Sequence, residues 1–168
     1  MAGDASTTSK YFRKALDDLT VNNLGQVRTL AEAATKGTAT VVPDDAGLKE
    51  ALAAHPFSRL AYFNDVCAGA VLCKKIAATS KTSVQITTVC VLPAYRRLGL
   101  ATMLVKNVVD EATEDAKTDR ITVTVESGNH ILRGLLEKHG FTVVAEADGS
   151  TASRTSESKS ELRCYKRH

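Results

Sequence analysis

The sequence predicts one α/β domain built around a single mixed β-sheet. Strand-like runs rich in β-branched residues alternate with segments whose apolar residues recur at helical spacing, in the order β-α-α-β-β-β-α-β-α-β-β. Hairpins in this order predict antiparallel neighbours, and strand-helix-strand units predict parallel ones. No internal repeat and no Pro/Gly linker divides the 168 residues, which suffice for one domain with its own core.

The first half of the chain predicts a strand, two helices and a hairpin. Residues 1–10 are small and polar and are expected to be disordered, so the domain is predicted over residues 11–168. Apolar residues on one stripe predict a helix over residues 20–37, and Asp44 is placed to cap a second helix. Two strand-like runs then meet at a polar turn, residues 64–65, and predict a β-hairpin.

The second half predicts the most regular helix of the chain. A β-branched strand ends at Pro93, and apolar residues then follow the i, i+3, i+4, i+7 pattern over residues 99–116. A further strand leads to a helix with Asn129 as its N-cap and Gly140 as its stop. Two closing strands flank a polar, low-complexity segment, residues 148–160, which predicts a loop.

Composition excludes several classes of function. Aromatic residues make up 5% with no Trp, and the net charge is only +3, which argues against direct nucleic-acid binding. No apolar run reaches about 18 residues, the length of a membrane span, and no secretory signal is expected. The cysteines form no CxxC pair and no zinc-like cluster, so no metal site is predicted and a reducing, cytoplasmic location is expected; they are Cys67, Cys73, Cys90 and Cys164.

The stretch LPAYRRLGLATML, residues 92–104, predicts an anion site at the start of the long helix. The first turn of a helix has free N–H groups and a positive dipole end. Gly99 allows the backbone to approach a ligand, and Arg96 and Arg97 add positive charge for phosphate oxygens. No GKS or GKT and no GxGxxG accompanies the turn. From spacing alone, an ordinary strand–helix loop with surface arginines remains equally open.

This turn resembles the acetyl-CoA pyrophosphate motif of the GNAT acetyltransferases, Q/R-x-x-G-x-G/A. Arg96, Gly99 and Ala101 fill its fixed positions. The stretches RLAYFNDVCAGAVLC, LEKHGF and RCYKR further resemble the San-type N-terminal acetyltransferases, which act as the catalytic subunit of NatE. The similarity runs from about residue 18 to the end and is most specific over residues 59–73 and 91–102.

The resemblance implies a GNAT fold, a mixed six- to seven-stranded sheet with splayed central strands and about four helices. It implies acetyl-CoA as the cofactor, with its pantetheine against the fourth strand at Val89, Cys90 and Val91. It also implies that Asn129 contacts the cofactor. The pyrophosphate is expected on the turn formed by Arg96, Arg97, Leu98, Gly99, Leu100, Ala101 and Thr102.

The chain departs from the San-type pattern at the catalytic positions. Gln85 and Thr124 stand where those enzymes have a tyrosine and a histidine, and neither residue can act as a base near pH 7. Leu136 stands where many GNATs have a tyrosine that could protonate the leaving thiolate. The segment TKGTATVV, residues 35–42, replaces the family's Phe-Pro-Val substrate segment, so the Met-first preference cannot be transferred to this chain.

Two residues are candidates for the catalytic work. Glu126 is two residues beyond Thr124 and shares its strand face, so it is predicted as a base acting through water, with a solvated carboxylate as the alternative. Tyr165 matches a family tyrosine that holds peptide backbone and is predicted to contact the acceptor. His130 is expected at the surface.

The leading functional prediction is an acetyl-CoA-dependent N-acetyltransferase acting on protein or peptide N-termini by direct attack on the thioester. An α-amine, with a pKa of about 7.7–8.0, needs less help from a base than a lysine at about 10.4. A GNAT for lysine or a small amine is the second hypothesis. The third is a catalytically weak CoA-binding subunit that associates with other N-terminal acetyltransferase subunits or with the ribosome.

Overall fold

One seven-stranded sheet organises the chain, in the order β1-β2-β3-β4-β5-β7-β6. The computed structural model describes residues 12–36, 42–126, 129–147 and 159–165. The strands are β1 Lys14–Asp18, β2 Arg59–Phe63, β3 Val66–Ala77, β4 Thr82–Val91, β5 Thr118–Glu126, β6 Thr142–Ala147 and β7 Lys159–Tyr165. The helices are α1 Leu24–Thr35, α2 Asp45–Ala53, α3 Leu100–Glu114 and α4 His130–Lys138.

The element order predicted from sequence is confirmed throughout. Every neighbouring pair in the sheet is antiparallel except β4 and β5, which run parallel and are connected by α3. The first helix is shorter than expected, because residues 21–23 form a 3-10 turn and α1 begins at Leu24. Strand β7 begins at Lys159, inside the segment predicted as a loop.

Three predicted segments lie outside the described residues, wholly or for the most part. They are the tail over residues 1–10, residues 148–158 of the predicted polar loop, and residues 37–41 between α1 and α2.

Local signals in the sequence end the helices and turn the hairpin where expected. The Asp44 carboxylate accepts a hydrogen bond from Gly47 N at 2.7 Å, and the Asn129 side chain accepts one from Leu132 N at 3.2 Å. Gly140 follows α4 with φ of 88°. The turn between β2 and β3 has positive φ at both of its central residues, which matches the twist of the strands it joins.

The helices cover the two faces of the sheet and create two hydrophobic cores. The α3 and α4 side holds the larger core, which includes Val71, Val84, Leu104, Val108 and Leu136. The α1 and α2 side holds the second core, which includes Val27, Leu30, Leu48, Leu60 and Leu72. Among the described residues no helix is both long and apolar enough to cross a membrane.

Gly69 of β3 packs tightly against β4 and α3. A Cβ on it would stand 3.0 Å from the Cys90 carbonyl oxygen and 3.2 Å from Cγ2 of Val91. Leu104 closes the third side at 3.4 Å. The position therefore has no room for a side chain. The glycine allows β4 to lie close to β3 just before residues 96–102, the predicted phosphate-binding turn (the phosphate turn).

We expect Gly69→Ala to lower the free energy of unfolding by about 1–3 kcal/mol, because backbone and core must shift to admit the methyl group. Urea denaturation measures this value. The matched control is Gly134→Ala in α4, where a Cβ would meet nothing within 4 Å. Helix propensity predicts that this control gains up to about 1 kcal/mol. Two variants of equal stability would contradict the close packing of β3 against β4.

Candidate functional site

The central feature of the site is the point where β4 and β5 stop pairing. Their parallel ladder runs from Thr82↔Thr118 to Ile86↔Val123 and ends there. Beyond it, within the described residues, β4 pairs only with β3, and β5 pairs only with β7. The splayed central strands predicted from the family resemblance are therefore present, and the inner edges of both strands are open along the gap.

A β-bulge in β4 coincides with this end of the ladder. Leu72 of β3 pairs with Thr88 while Cys73 pairs with Ile86, so Thr87 is an extra residue. The Thr87 hydroxyl donates to the Leu72 carbonyl oxygen at 3.0 Å and fastens the bulge. Because a bulge bends its strand and increases the local twist, β4 turns away from β5 at this point.

The turn between β4 and α3 has an unusual backbone. Arg97 has φ of 62° and Gly99 has φ of 82°. Two of the three residues 97–99 therefore have a left-handed backbone conformation. Gly99 is the N-cap residue and α3 has no side-chain cap. The first helical hydrogen bond is from Met103 N to Gly99 O, at 3.1 Å. The N–H groups of residues 99–102 thus precede the helical ladder and suit a phosphate group.

The Arg96 side chain has a structural role that its place in the motif does not reveal. Its Nε donates to the Val91 carbonyl oxygen at 3.1 Å, and one terminal nitrogen donates to the Ala34 carbonyl oxygen at 2.9 Å. Arg96 therefore joins the end of β4 to the last turn of α1. A guanidinium has five N–H donors, so these bonds leave capacity for an anion. Arg97 is exposed beside it.

Lys14 of β1 is a residue of this site that the sequence did not predict. Its Nζ donates to the Leu98 carbonyl oxygen in the turn, at 2.7 Å. The two residues are 84 positions apart, and no local pattern marks Lys14. Only the pairing of β1 with β2 at the sheet edge brings its side chain to the start of α3.

An aromatic cluster supports the turn from the same direction. Phe12 stacks on Phe63 of β2 with ring centroids 5.8 Å apart, and Phe63 meets Tyr95 edge-on at 5.9 Å. Tyr95 belongs to the 3-10 turn, residues 93–95, that precedes the two arginines. The N-terminal strand region therefore contacts the turn through an apolar cluster as well as through Lys14.

The residues predicted to contact pantetheine lie along the open edge of β4. Val89, Cys90 and Val91 pair with β3 on one side, past the end of the β5 ladder on the other. Val89 and Val91 belong to the α3 side, whereas Cys90 packs in the α1 and α2 core. The bulge explains this alternation, because it moves every later side chain of β4 to the opposite face.

The described cysteines are not nucleophiles at neutral pH. Cys67, Cys73 and Cys90 are free thiols. Burial raises the pKa of Cys90 to about 11 and raises the pKa of Cys73 still further. Burial also raises the pKa of Cys67. These thiols stay protonated, which argues against an acetyl-cysteine relay through any of the three.

The residues at the family's catalytic positions share one sheet face. Val84, Ile86, Val123 and Val125 face the α3 and α4 core, so Gln85 and Thr124 point to the opposite side. Gln85 is half-buried and Thr124 is exposed. Both side chains are neutral. Leu136, at the position of the family's second tyrosine, is fully buried in the core.

The two catalytic candidates do not come together. Glu126 pairs with Lys159 at the open end of the β5–β7 ladder, whereas Tyr165 pairs with Arg120 at the other end. Six residues of strand correspond to about 20 Å. Of the two, only Glu126 is at the splayed end of β5. Glu126 as a base and Tyr165 as a contact to the acceptor both remain predictions, and the register places their backbones at opposite ends of the β5–β7 ladder.

The remaining polar candidates have ordinary structural surroundings. Asn129 caps α4 just beyond β5, which confirms its capping role and leaves its contact with the cofactor a prediction. His130 is exposed, as expected. His139 Nδ1 lies 2.9 Å from the Leu135 carbonyl oxygen. In the described parts of the chain, no group of three His, Cys, Asp or Glu side chains could hold a metal ion.

Comparison with known proteins finds similarity to acetyltransferases. The acetyltransferase (GNAT) family model matches residues 26–141, more than half of the chain. N-alpha-acetyltransferase 50 of Danio rerio is 30% identical over 132 residues, which cover 79% of this chain and 76% of that protein. The probable N-acetyltransferase san of Drosophila melanogaster is also 30% identical over 132 residues, covering 77% of this chain and 68% of that protein.

A solved structure shares both fold and sequence. Arabidopsis thaliana Naa50, in complex with the bisubstrate analogue CoA-Ac-MVNAL, superposes with a TM-score of 0.77 and 25% identity. The match covers 89% of this chain and 97% of that chain. The resemblance to San-type enzymes is thereby confirmed, and the chain belongs to the GNAT family of acetyltransferases.

Proposed function

We propose that this chain transfers the acetyl group of acetyl-CoA to the α-amino group of protein or peptide N-termini. The observation that carries the proposal is the gap between β4 and β5, which leads directly to the uncapped start of α3. The relatives named N-acetyltransferases, and the Arabidopsis relative bound to an analogue that joins CoA to a peptide, support the same activity.

The described residues fit acetyl-CoA. The N–H groups at the start of α3 and the side chains of Arg96 and Arg97 would hold its diphosphate. The open edge of β4 at residues 89–91 would bind the pantetheine arm through backbone groups, with Asn129 beyond the end of β5. When bound, acetyl-CoA supplies the acetyl group as a thioester.

The acceptor side of the site favours an α-amine over a lysine. Gln85 and Thr124 supply no base, so much of the acceptor must arrive already neutral. At pH 7 roughly a tenth of an α-amine is neutral, against less than about a thousandth of a lysine side chain. Positioning of the neutral amine, together with a backbone N–H near Val89 that stabilises developing negative charge, supplies part of the rate.

Glu126 is our candidate for the residue that takes the amine proton through water. It is the last residue of β5, two positions after Thr124, at the end where β4 and β5 diverge. The register makes Tyr165 the weaker candidate, because it lies beside the start of β5. Its proposed contact with the acceptor requires a peptide that reaches across the sheet.

The absence of the family's tyrosine and histidine motivates a second candidate function, a CoA-binding subunit with little activity of its own. Such a subunit would associate with other N-terminal acetyltransferase subunits or with the ribosome. The free thiols of Cys67, Cys73 and Cys90 support a cytoplasmic location for either function.

The acceptor class is tested with short peptides carrying free N-termini, Nα-blocked peptides carrying lysine, and polyamines. We expect acetyl transfer to free N-termini to be about 100-fold faster or more at pH 7, because their amines are more often neutral. Product mass spectrometry identifies the acetylated nitrogen, and calorimetric titration measures acetyl-CoA binding in parallel. Tight binding without turnover on any acceptor would support the CoA-binding subunit instead.

The proton acceptor is tested with Glu126→Gln and Tyr165→Phe. We expect Glu126→Gln to lower kcat by about 100-fold or more, the usual contribution of a general base, with little change in acetyl-CoA affinity. Tyr165→Phe should leave kcat within about twofold of the parent, because its register position is about 20 Å from that of Glu126. If kcat of Glu126→Gln is unchanged, water alone takes the proton.

Arg96 is expected to stabilise the fold as well as to bind the diphosphate, whereas Arg97 is expected only to bind the diphosphate. We expect Arg96→Met to lower the free energy of unfolding of the ligand-free protein by about 1–2 kcal/mol, because two hydrogen bonds to backbone carbonyls are lost. Arg97→Met removes the same charge from an exposed side chain and should leave stability unchanged, while both variants bind acetyl-CoA more weakly. Urea denaturation and calorimetry separate the effects; equal stability of the two variants would refute the structural role of Arg96.

A further inference from the structure

The ammonium group of Lys14 occupies an electrostatically unfavourable place. Its Nζ is 2.7 Å from the Leu98 carbonyl oxygen and would lie 3.3 Å from a Cβ on Gly99, the N-cap residue of α3. The N-terminus of a helix carries a partial positive charge, which favours anions and opposes cations.

Positive charge accumulates around the same turn from three directions. Arg96 approaches from the end of β4, Arg97 lies in the turn itself, and Lys14 reaches in from β1. Like charges concentrated at a positive helix end cost free energy unless an anion binds among them. A ligand with more than one negative charge relieves that cost, and a diphosphate is such a ligand.

The sheet fixes the direction of the Lys14 side chain. Lys14 pairs with Phe63, and Leu16 on the same face packs against the α3 and α4 core. Arg13 lies one residue before β1, beside the turn between β2 and β3, where its backbone N–H donates to Asn64 Oδ1 at 2.8 Å. Arg13 is thus a neighbouring cation that lies beside the hairpin turn of β2 and β3.

We propose that Lys14 is a further acetyl-CoA-binding residue, whose ammonium group positions the turn through Leu98 and neutralises charge on the diphosphate. The inference rests on the proposed function, since it concerns the same cofactor. An ammonium group has three N–H donors, so the bond to Leu98 leaves donors for phosphate oxygens. In this proposal strand β1 contributes a side chain to the cofactor site.

The test compares Lys14→Met, Lys14→Arg and Arg13→Met by calorimetric titration with acetyl-CoA and with its 3′-dephospho form. We expect Lys14→Met to weaken binding of both ligands about tenfold, the usual scale for one charge-assisted hydrogen bond. Lys14→Arg keeps the charge and should recover most of the affinity. Arg13→Met, which removes the same charge from the residue beside the hairpin turn, should bind both ligands as the parent does.

Several outcomes would overturn the inference. Unchanged affinity of Lys14→Met, with or without a lower melting temperature, would leave Lys14 as a purely structural contact. An equal loss in Arg13→Met would indicate general surface charge instead of a specific contact. A loss seen only with acetyl-CoA and absent with the 3′-dephospho form would assign Lys14 to the 3′-phosphate. Failure of the parent protein to bind either ligand would refute the proposed function itself.

Discussion

The end of the parallel ladder between β4 and β5 is the constraint on which the rest of the site depends. A parallel pair has no reason to separate while both strands remain regular, and here a single extra residue, Thr87, makes one of them irregular. Its hydroxyl bond to Leu72 holds the bulge on the β3 side, so the divergence opens toward β5. The gap, its bare backbone edge and the direction of the strand into the phosphate turn all follow from that residue.

The turn that ends β4 is held from both sides of the sheet. Arg96 fastens it to the last turn of α1, and Lys14 with the aromatic cluster fastens it to β1 and β2. The phosphate turn and the last turn of α1 are therefore connected through one guanidinium group.

Features that depend on neighbouring residues could be predicted from the sequence. The strand and helix order, the caps at Asp44 and Asn129, and the glycine of the phosphate turn all depend on a few consecutive residues. The bulge left a detectable trace as well, since the apolar spacing in β4 changes from two between Val84 and Ile86 to three before Val89. Long-range pairings were different: neither the reach of Lys14 nor the register of Tyr165 has any counterpart in neighbouring residues.

The neutral residues Gln85 of β4 and Thr124 of β5 are consistent with an intact cofactor turn. Cofactor binding and proton removal make different physical demands. Binding a multiply charged ligand requires fixed N–H groups and cations, and this chain keeps both. Removing a proton from an α-amine requires far less, since the group titrates close to neutral pH. Loss of a tyrosine and a histidine thus reduces catalysis of lysine acetylation more than catalysis at N-termini. On this argument the substitutions at Gln85 and Thr124 narrow the range of acceptors and leave acetyl transfer to α-amines possible.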